Sequence, residues 1–474
     1  MRQAFLSLMF LATLSAFAVD KMANVVCFVQ FADQTDTGWK HDFDYYETMF
    51  NDTSEGANSV KNYFHDAGFG KMDWTSTIVR TIHVDTRKRS EMCKKSSVNP
   101  DGYDNYVYAS MFQEPIFVAD VCKTIEGLIP DDVVLDYDGD GKVDNLTLVV
   151  CGNSEISSSS NLLWPANNRA IFSTASIKGV KVGNYLKVFD GANGYSASLT
   201  PQQINTGVLC HEMMHTLGTF DLYSGGSANP VGVWDLMSDN KTVPQGMTAY
   251  TRYKYGKWIP EIKQIDEPGV YTVASLDSPE PENVAYKINP IPSKNEYFVV
   301  EYRSKKSQWD SGLPNPGLLV YRVNESVEGN LGSNQEVYVF RPGGSPKVNG
   351  TISRAPLGES TGRFSFGGAA DADYPFYSDG SRADFSISEV KAVDGGMQFT
   401  LSFGVASIED SFIDGETLEY DAATETLIAP GAVAIEVYAL SGMKLESISG
   451  AAPGLYIARA VFASGRAVTL KFRK

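Results

Sequence analysis

Positive charge is in the minority here: 40 Lys and Arg stand against 57 Asp and Glu, a formal net charge of −17. A chain of that sign repels phosphate backbones and anionic lipid surfaces, so no nucleic acid and no charged membrane is expected as a partner. Long apolar runs are missing too. Beyond the N-terminus no stretch reaches the length of a membrane span, so no transmembrane segment is expected. Cysteine is scarce and odd in number, at Cys27, Cys93, Cys122, Cys151 and Cys210. At least one thiol therefore stays reduced or pairs between chains. Cys93 and Cys122, in loop-like or helix-edge surroundings, are the expected disulfide. Cys27 sits in a buried-strand pattern and reads as a small hydrophobe. Core-forming material, by contrast, is ample: 43% hydrophobic and 12% aromatic residues suffice for two or three domains in 474 residues.

The N-terminus has the pattern of a secretory signal. Arg2 supplies the positive end, Ala4 to Ala16 is apolar, and Ala16-Phe17-Ala18 is a small-residue cleavage site. Residues 1–18 are expected to be removed and the protein to be secreted or held at the cell surface. No propeptide is evident between Ala18 and the first strand pattern, Asn24 to Ala32. A helix follows over Ser59 to Asp66, capped by Asn58 or Ser59 and ended by Gly68 and Gly70. Trp74 to His83 alternates as a strand, Phe117 to Ile125 reads as a helix, and Leu146 to Val150 as another strand.

The chemistry concentrates in His211-Glu212-Met213-Met214-His215-Thr216-Leu217-Gly218-Thr219-Phe220-Asp221. Histidines four apart on a helix share a face, and two imidazoles on one face can grip zinc. Glu212 lies beside them, where a carboxylate can take a proton from water. Gly218 permits a sharp turn that swings Asp221 back as a third ligand, leaving a fourth position open, as catalytic zinc requires. Cys210 points away from that face and is not counted as a ligand. The helix is expected over Ile204 to Leu217, opened by Thr200-Pro201, with proline at the first helical position.

A second candidate site precedes it. Asp136, Asp138, Asp140 and Asp144 alternate around Gly141, a spacing of hard oxygen ligands that suits calcium. Thr147 stands where a full EF-hand would place its bidentate glutamate, so this is a calcium loop or a hydrated Asp-Gly turn.

Beyond Pro260 the pattern changes to short alternating runs separated by turns: Gly269 to Val273, Asn283 to Ile288, Glu296 to Tyr302, Gly317 to Val323, Glu336 to Phe340, Phe385 to Val390 and Gly396 to Phe403. A second break lies near Ala406 to Asp414, and a small β-domain of about five to seven strands follows. The expected fold class is α+β, with a catalytic domain over 19–262, a β-sandwich-like accessory domain over 263–404 and a small C-terminal β-sandwich over 405–474.

The zinc helix and its surroundings resemble the immune-inhibitor-A-like peptidases, a branch of the metzincin metallopeptidases. The shared segments include VQFAD at Val29 to Asp33, DLY at Asp221 to Tyr223, VWDLMS at Val233 to Ser238, MTAYTRYKYGKW at Met247 to Trp258 and EYFVVEYR at Glu296 to Arg303. The resemblance implies Zn2+ at His211, His215 and Asp221, Glu212 as general base, and Met237 as the methionine of the turn beneath the zinc. Several metzincins carry a tyrosine two residues beyond that methionine as an oxyanion stabiliser. Here Asp239 stands there, so the stabiliser is left unassigned, with Tyr250 and Tyr253 as candidates. The C-terminal stretch, with VYALSGMKL at Val437 to Leu445, PGLYIARA at Pro453 to Ala460 and the basic end KFRK, resembles a type IX secretion sorting domain. The expected activity is a secreted zinc endopeptidase acting on proteins or peptides. The rival readings are a catalytically degenerate surface adhesin or binding module, and a zinc hydrolase of another bond such as a deacetylase.

Overall fold

The computed structural model describes residues 20–34, 38–154, 161–169, 173–195, 201–224, 229–292, 294–368, 371–404, 417–421, 424–439, 443–445, 447–462 and 467–474. The expected signal peptide and the break at 406–414 lie outside them.

The first sheet is built from β1 (Lys21–Phe31), β2 (Asp73–Asp85), β3 (Leu146–Val150), β4 (Ala166–Arg169) and β5 (Asn184–Phe189). Their spatial order is β2-β1-β3-β5-β4. All neighbours are parallel except β4, which runs antiparallel to β5 and forms one edge. The apolar run of β1 is fully interior because both faces are covered. Met22, Val26 and Phe28 enter one core, while Val25, Cys27, Val29 and Phe31 enter another.

Helices α1 (Phe43–Asn51) and α2 (Val60–Ala67) pack in the first core, α2 being capped by Ser59, whose Oγ accepts the Asn62 N–H at 3.1 Å. Helix α3 (Glu114–Ile125) covers the other face. The expected Cys93–Cys122 disulfide is absent: none of the five cysteines is oxidised. Cys122 is turned into the core under α3 with Cys27, and the Cys93 thiol hydrogen-bonds Arg89 O at 3.3 Å.

Helix α4 (Thr206–Thr216) carries the histidines. It does not open at Thr200-Pro201. Pro201 pairs with Tyr195 in a hairpin, and the cap is Asn205, whose Oδ1 accepts the Val208 N–H at 3.1 Å. Gly207 lets the first turn approach its neighbour, since a Cβ there would fall 1.8 Å from Lys241 O. Leu209, Cys210, Met213 and Met214 are fully buried, and each side chain of Leu or Met size contributes about 1.5–3 kcal/mol by leaving water. Helix α5 (Ala249–Lys254) follows, capped by Thr248.

The change of pattern beyond Pro260 marks a change of architecture, and packing continues across it. Strands Lys263–Gln264, Ala285–Ile288, Glu296–Arg303, Gly317–Asn324 and Val337–Val339 form a five-stranded sheet in that order. Tyr297, Val299, Leu319, Tyr321 and Val323 face the core that holds α4, while Phe298, Val300, Leu318 and Val320 face a third core. That third core is closed by the three-stranded sheet of Gly269–Val273, Gly396–Phe403 and Phe385–Val393. The two sheets share that core, and the other face of the five-stranded sheet is part of the core beneath the histidines.

The chain divides into two compact units between Val405 and Ala406. The second has its own small core around Val437, Tyr456, Ala458 and Phe472. Among its described residues are a four-stranded sheet and a two-stranded one, six strands in all.

Candidate metal centre and catalytic site

His211 and His215 lie on one face of α4, and Gly218, at φ 89°, turns the chain back so that Asp221 returns to them. His211 Nε2 is 3.2 Å and His215 Nε2 is 3.4 Å from Asp221 Oδ1. A tetrahedral zinc with bonds of about 2.0–2.2 Å sets its ligand atoms roughly 3.3 Å apart, so these separations already fit. Each imidazole is oriented from behind. His211 Nδ1 donates to Leu236 O at 3.0 Å and His215 Nδ1 donates to Thr219 O at 2.8 Å. With the hydrogen on Nδ1, each neutral ring presents its Nε2 lone pair to the same point. Asp221 Oδ1 is buried there without a hydrogen bond. Two lone pairs and an anionic oxygen converge on a spot that a divalent cation would satisfy. Without one, protons are drawn in. Burial lowers His215, but Asp221, Glu212 and Thr219 outweigh it and push it up to about 9. Burial likewise raises Asp221, and the two imidazoles reverse this and hold its carboxyl below the usual range.

Glu212 stands at the same point, tied to the edge strand. Its Oε2 accepts the Asn167 N–H at 2.8 Å, and Asn167 Nδ2 donates to Glu212 O at 2.9 Å and to Thr216 Oγ1 at 2.8 Å. From there a row of polar side chains crosses the whole sheet. Asn184 on β5 also donates to Thr216 Oγ1, at 3.0 Å, and Thr216 donates to Asn145 Oδ1 at 2.8 Å. Asn145 Nδ2 and Thr147 Oγ1 donate to Asn24 Oδ1, and Asn24 Nδ2 donates to Ser76 Oγ on β2 at 3.0 Å. Asn24, Asn145 and Thr147 are buried, and every strand contributes a member. Such burial is tolerated because the row satisfies itself.

Beneath the histidines lies Met237. It is fully buried, its carbonyl accepts the Leu222 N–H at 2.8 Å, and its sulfur accepts from Thr219 Oγ1 at 3.7 Å. The segment is held by Asp235. Its Oδ1 accepts the Met237 N–H at 2.8 Å, and its Oδ2 accepts Thr248 N–H, Thr248 Oγ1 and Thr251 Oγ1 at 2.8–2.9 Å.

The phenol at the site is neither of those expected. Tyr250 is buried and donates to Glu336 Oε1 at 2.7 Å, and Tyr253 lines neither cavity around Glu212. Tyr223, two residues beyond Asp221, lines both. Burial, and then the carboxylates of Asp221 and Glu212, push its hydroxyl up, and it hydrogen-bonds the Asp221 side chain. Tyr223 lay within the matched DLY segment, but nothing in its local pattern distinguishes it from other tyrosines. Asn167 and Asp235 carried no local signal either.

The acidic loop is partly assembled. Carboxylate oxygens of Asp136, Asp138 and Asp144 lie within 4.8 Å of one another. Asp144 is pushed up to about 6, by burial first and by Asp138 and Asp136 after it. Asp140 does not join them, because its carboxylate pairs with Lys142. The loop and the histidine site line one open cleft of about 770 Å³.

No curated protein matches the chain. Residues 21–254 match the family model described as immune inhibitor A peptidase M6, catalytic domain. The matched span ends in α5 and contains His211, Glu212, His215, Asp221 and Met237. Over that span the chain is similar to the catalytic domain of a metallopeptidase family, which supports proteolysis as its activity.

Proposed function

We propose that the protein is a secreted zinc-dependent endopeptidase that hydrolyses peptide bonds of proteins. The observation that carries this reading is the convergence of His211 Nε2, His215 Nε2 and the unpartnered Asp221 Oδ1 beside Glu212, on the wall of an open cleft. Those three atoms would hold zinc, which would supply Lewis acidity at the cleft wall. The chain's own groups do the rest. Glu212 is held by Asn167 at one oxygen and leaves the other to take the proton of the attacking water. It then returns that proton to the departing amine. Tyr223 keeps its hydroxyl proton and is placed to donate toward charge growing on the carbonyl oxygen. The substrate lies extended along β4, which has a strand partner on one side only.

Export by the N-terminal signal, and engagement of secretion machinery by the C-terminal unit, belong to the same proposal. So does calcium at Asp136, Asp138 and Asp144. The adhesin reading is disfavoured because a pure binding module has no use for Glu212 held beside the ligands. A deacetylase would share the metal chemistry, and a peptide-library digest separates it from a peptidase. The first test is casein digestion by the chain lacking residues 1–18, with and without a zinc-selective chelator. Chelator-sensitive cleavage is expected. Intact casein with the zinc-loaded chain overturns the reading.

A further inference from the structure

A smaller cavity of about 220 Å³ adjoins the cleft at Glu212. It shares Trp164, Pro165, His211, Glu212 and Tyr223 with the cleft, so whatever fills it sits next to the candidate reacting groups. Its remaining wall includes Val208, Gln202, Ser238, Asp239 and Asn240. Most polar groups there are already engaged. Gln202 Nε2 donates to Asn240 Oδ1 at 3.2 Å, and Ser238 Oγ donates to Asn229 Oδ1 at 3.1 Å. Asn193, also on the wall, donates to Phe189 O at 2.7 Å and Gly191 O at 3.1 Å.

Asp239 differs. Its backbone is fixed, with its N–H donating to Asp235 O at 3.2 Å and its carbonyl accepting from Gln245 Nε2. Its carboxylate makes no hydrogen bond or ion pair among the described residues, and no Lys or Arg lines the cavity. Trp164 and Val208 offer an aromatic face and an aliphatic wall. A long side chain with an apolar stem and a cationic end matches all of these features: the stem lies on Trp164 and Val208, and the cation meets Asp239.

We propose that this cavity is a specificity pocket for Lys or Arg beside the scissile bond, read by Asp239. The proposal rests on the endopeptidase reading and names its substrate class. A charge in a partly enclosed site discriminates by complementary attraction and by leaving a wrong, acidic side chain repelled.

The test is a digest of a peptide library, with cleavage sites read by mass spectrometry, for the wild type, Asp239→Asn and Asp239→Lys. The wild type is expected to favour Lys or Arg at one of the two positions flanking the cut, by about tenfold or more in kcat/KM over Leu. Asp239→Asn removes that preference, and Asp239→Lys turns it toward Asp or Glu. Both variants keep the wild-type melting temperature, because the carboxylate bonds nothing among the described residues. A wild-type preference for apolar side chains there, a basic preference that survives Asp239→Asn, or a marked loss of stability in that variant overturns the proposal. Absence of any cleavage by the zinc-loaded wild type is a different failure: it overturns the endopeptidase reading, and the pocket's role with it.

Discussion

Removing the Asp235 carboxylate tests how the candidate metal centre is supported. The side chain is fully buried and takes four hydrogen bonds, from Met237 N, Thr248 N, Thr248 Oγ1 and Thr251 Oγ1. In Asp235→Ala the two hydroxyls can turn to each other, being 3.1 Å apart, but the two backbone N–H groups are stranded. A buried donor left without a partner costs about 1–3 kcal/mol, so the variant is expected to lose about 3–5 kcal/mol. For a unit of this size, with an unfolding entropy of about 2.1 cal/mol/K per residue, that lowers Tm by roughly 4–6 °C. The effect reaches the ligands, because Asp235 grips the chain one residue before Leu236, whose carbonyl orients His211. Loss of such support weakens metal binding by about 10–100-fold. Calorimetry measures the first effect, and a zinc competition titration against a chromophoric chelator the second. Asp235→Asn keeps the acceptor for Met237 but turns an amide toward Thr248 N–H, so it recovers only part of the loss. A Tm shift below about 2 °C with unchanged zinc affinity would refute the reasoning.

Three further outcomes are expected. Glu212→Ala should lower casein turnover by at least about 100-fold and keep zinc, whereas His211→Ala should lose both, as read by turnover and metal content. Tyr223→Phe should reduce kcat by about 100-fold with little change in KM, the signature of a donor used only as charge develops. Millimolar calcium should raise Tm, and Asp144→Asn should abolish that rise. No calcium effect in the wild type would leave the loop as a hydrated turn.

The parts of the site that follow from local periodicity were legible in the sequence. His211 and His215 share a face because a helix repeats every 3.6 residues, and Gly218 marks the turn toward Asp221 by its residue type. The start of that helix is not legible from Thr200-Pro201, because Pro201 is taken up by hairpin pairing with Tyr195 and the cap falls at Asn205. The disulfide failed because residue surroundings say little about the distance between two thiols; Cys122 faces inward under α3. What the sequence hides is support from far along the chain. Asn167 lies 45 residues before Glu212, and Tyr223 gains its role only from the turn that brings it back to the histidines. The strand runs beyond Pro260 were legible by alternation. Their second face, packed beneath the metal site, was not.

The polar row from Ser76 to Asn167 has one last consequence. Asn24, Asn145 and Asn167 each give with the amide nitrogen and receive at the oxygen, and Thr216 spends its single hydroxyl proton on Asn145. Reversing any amide sets like against like at its neighbour, so the members can only change together. The amide of Asn167, which holds the Glu212 backbone carbonyl, is therefore set by partners that reach across the sheet to β2, so the last turn of the histidine helix is registered against the most distant strand of the sheet.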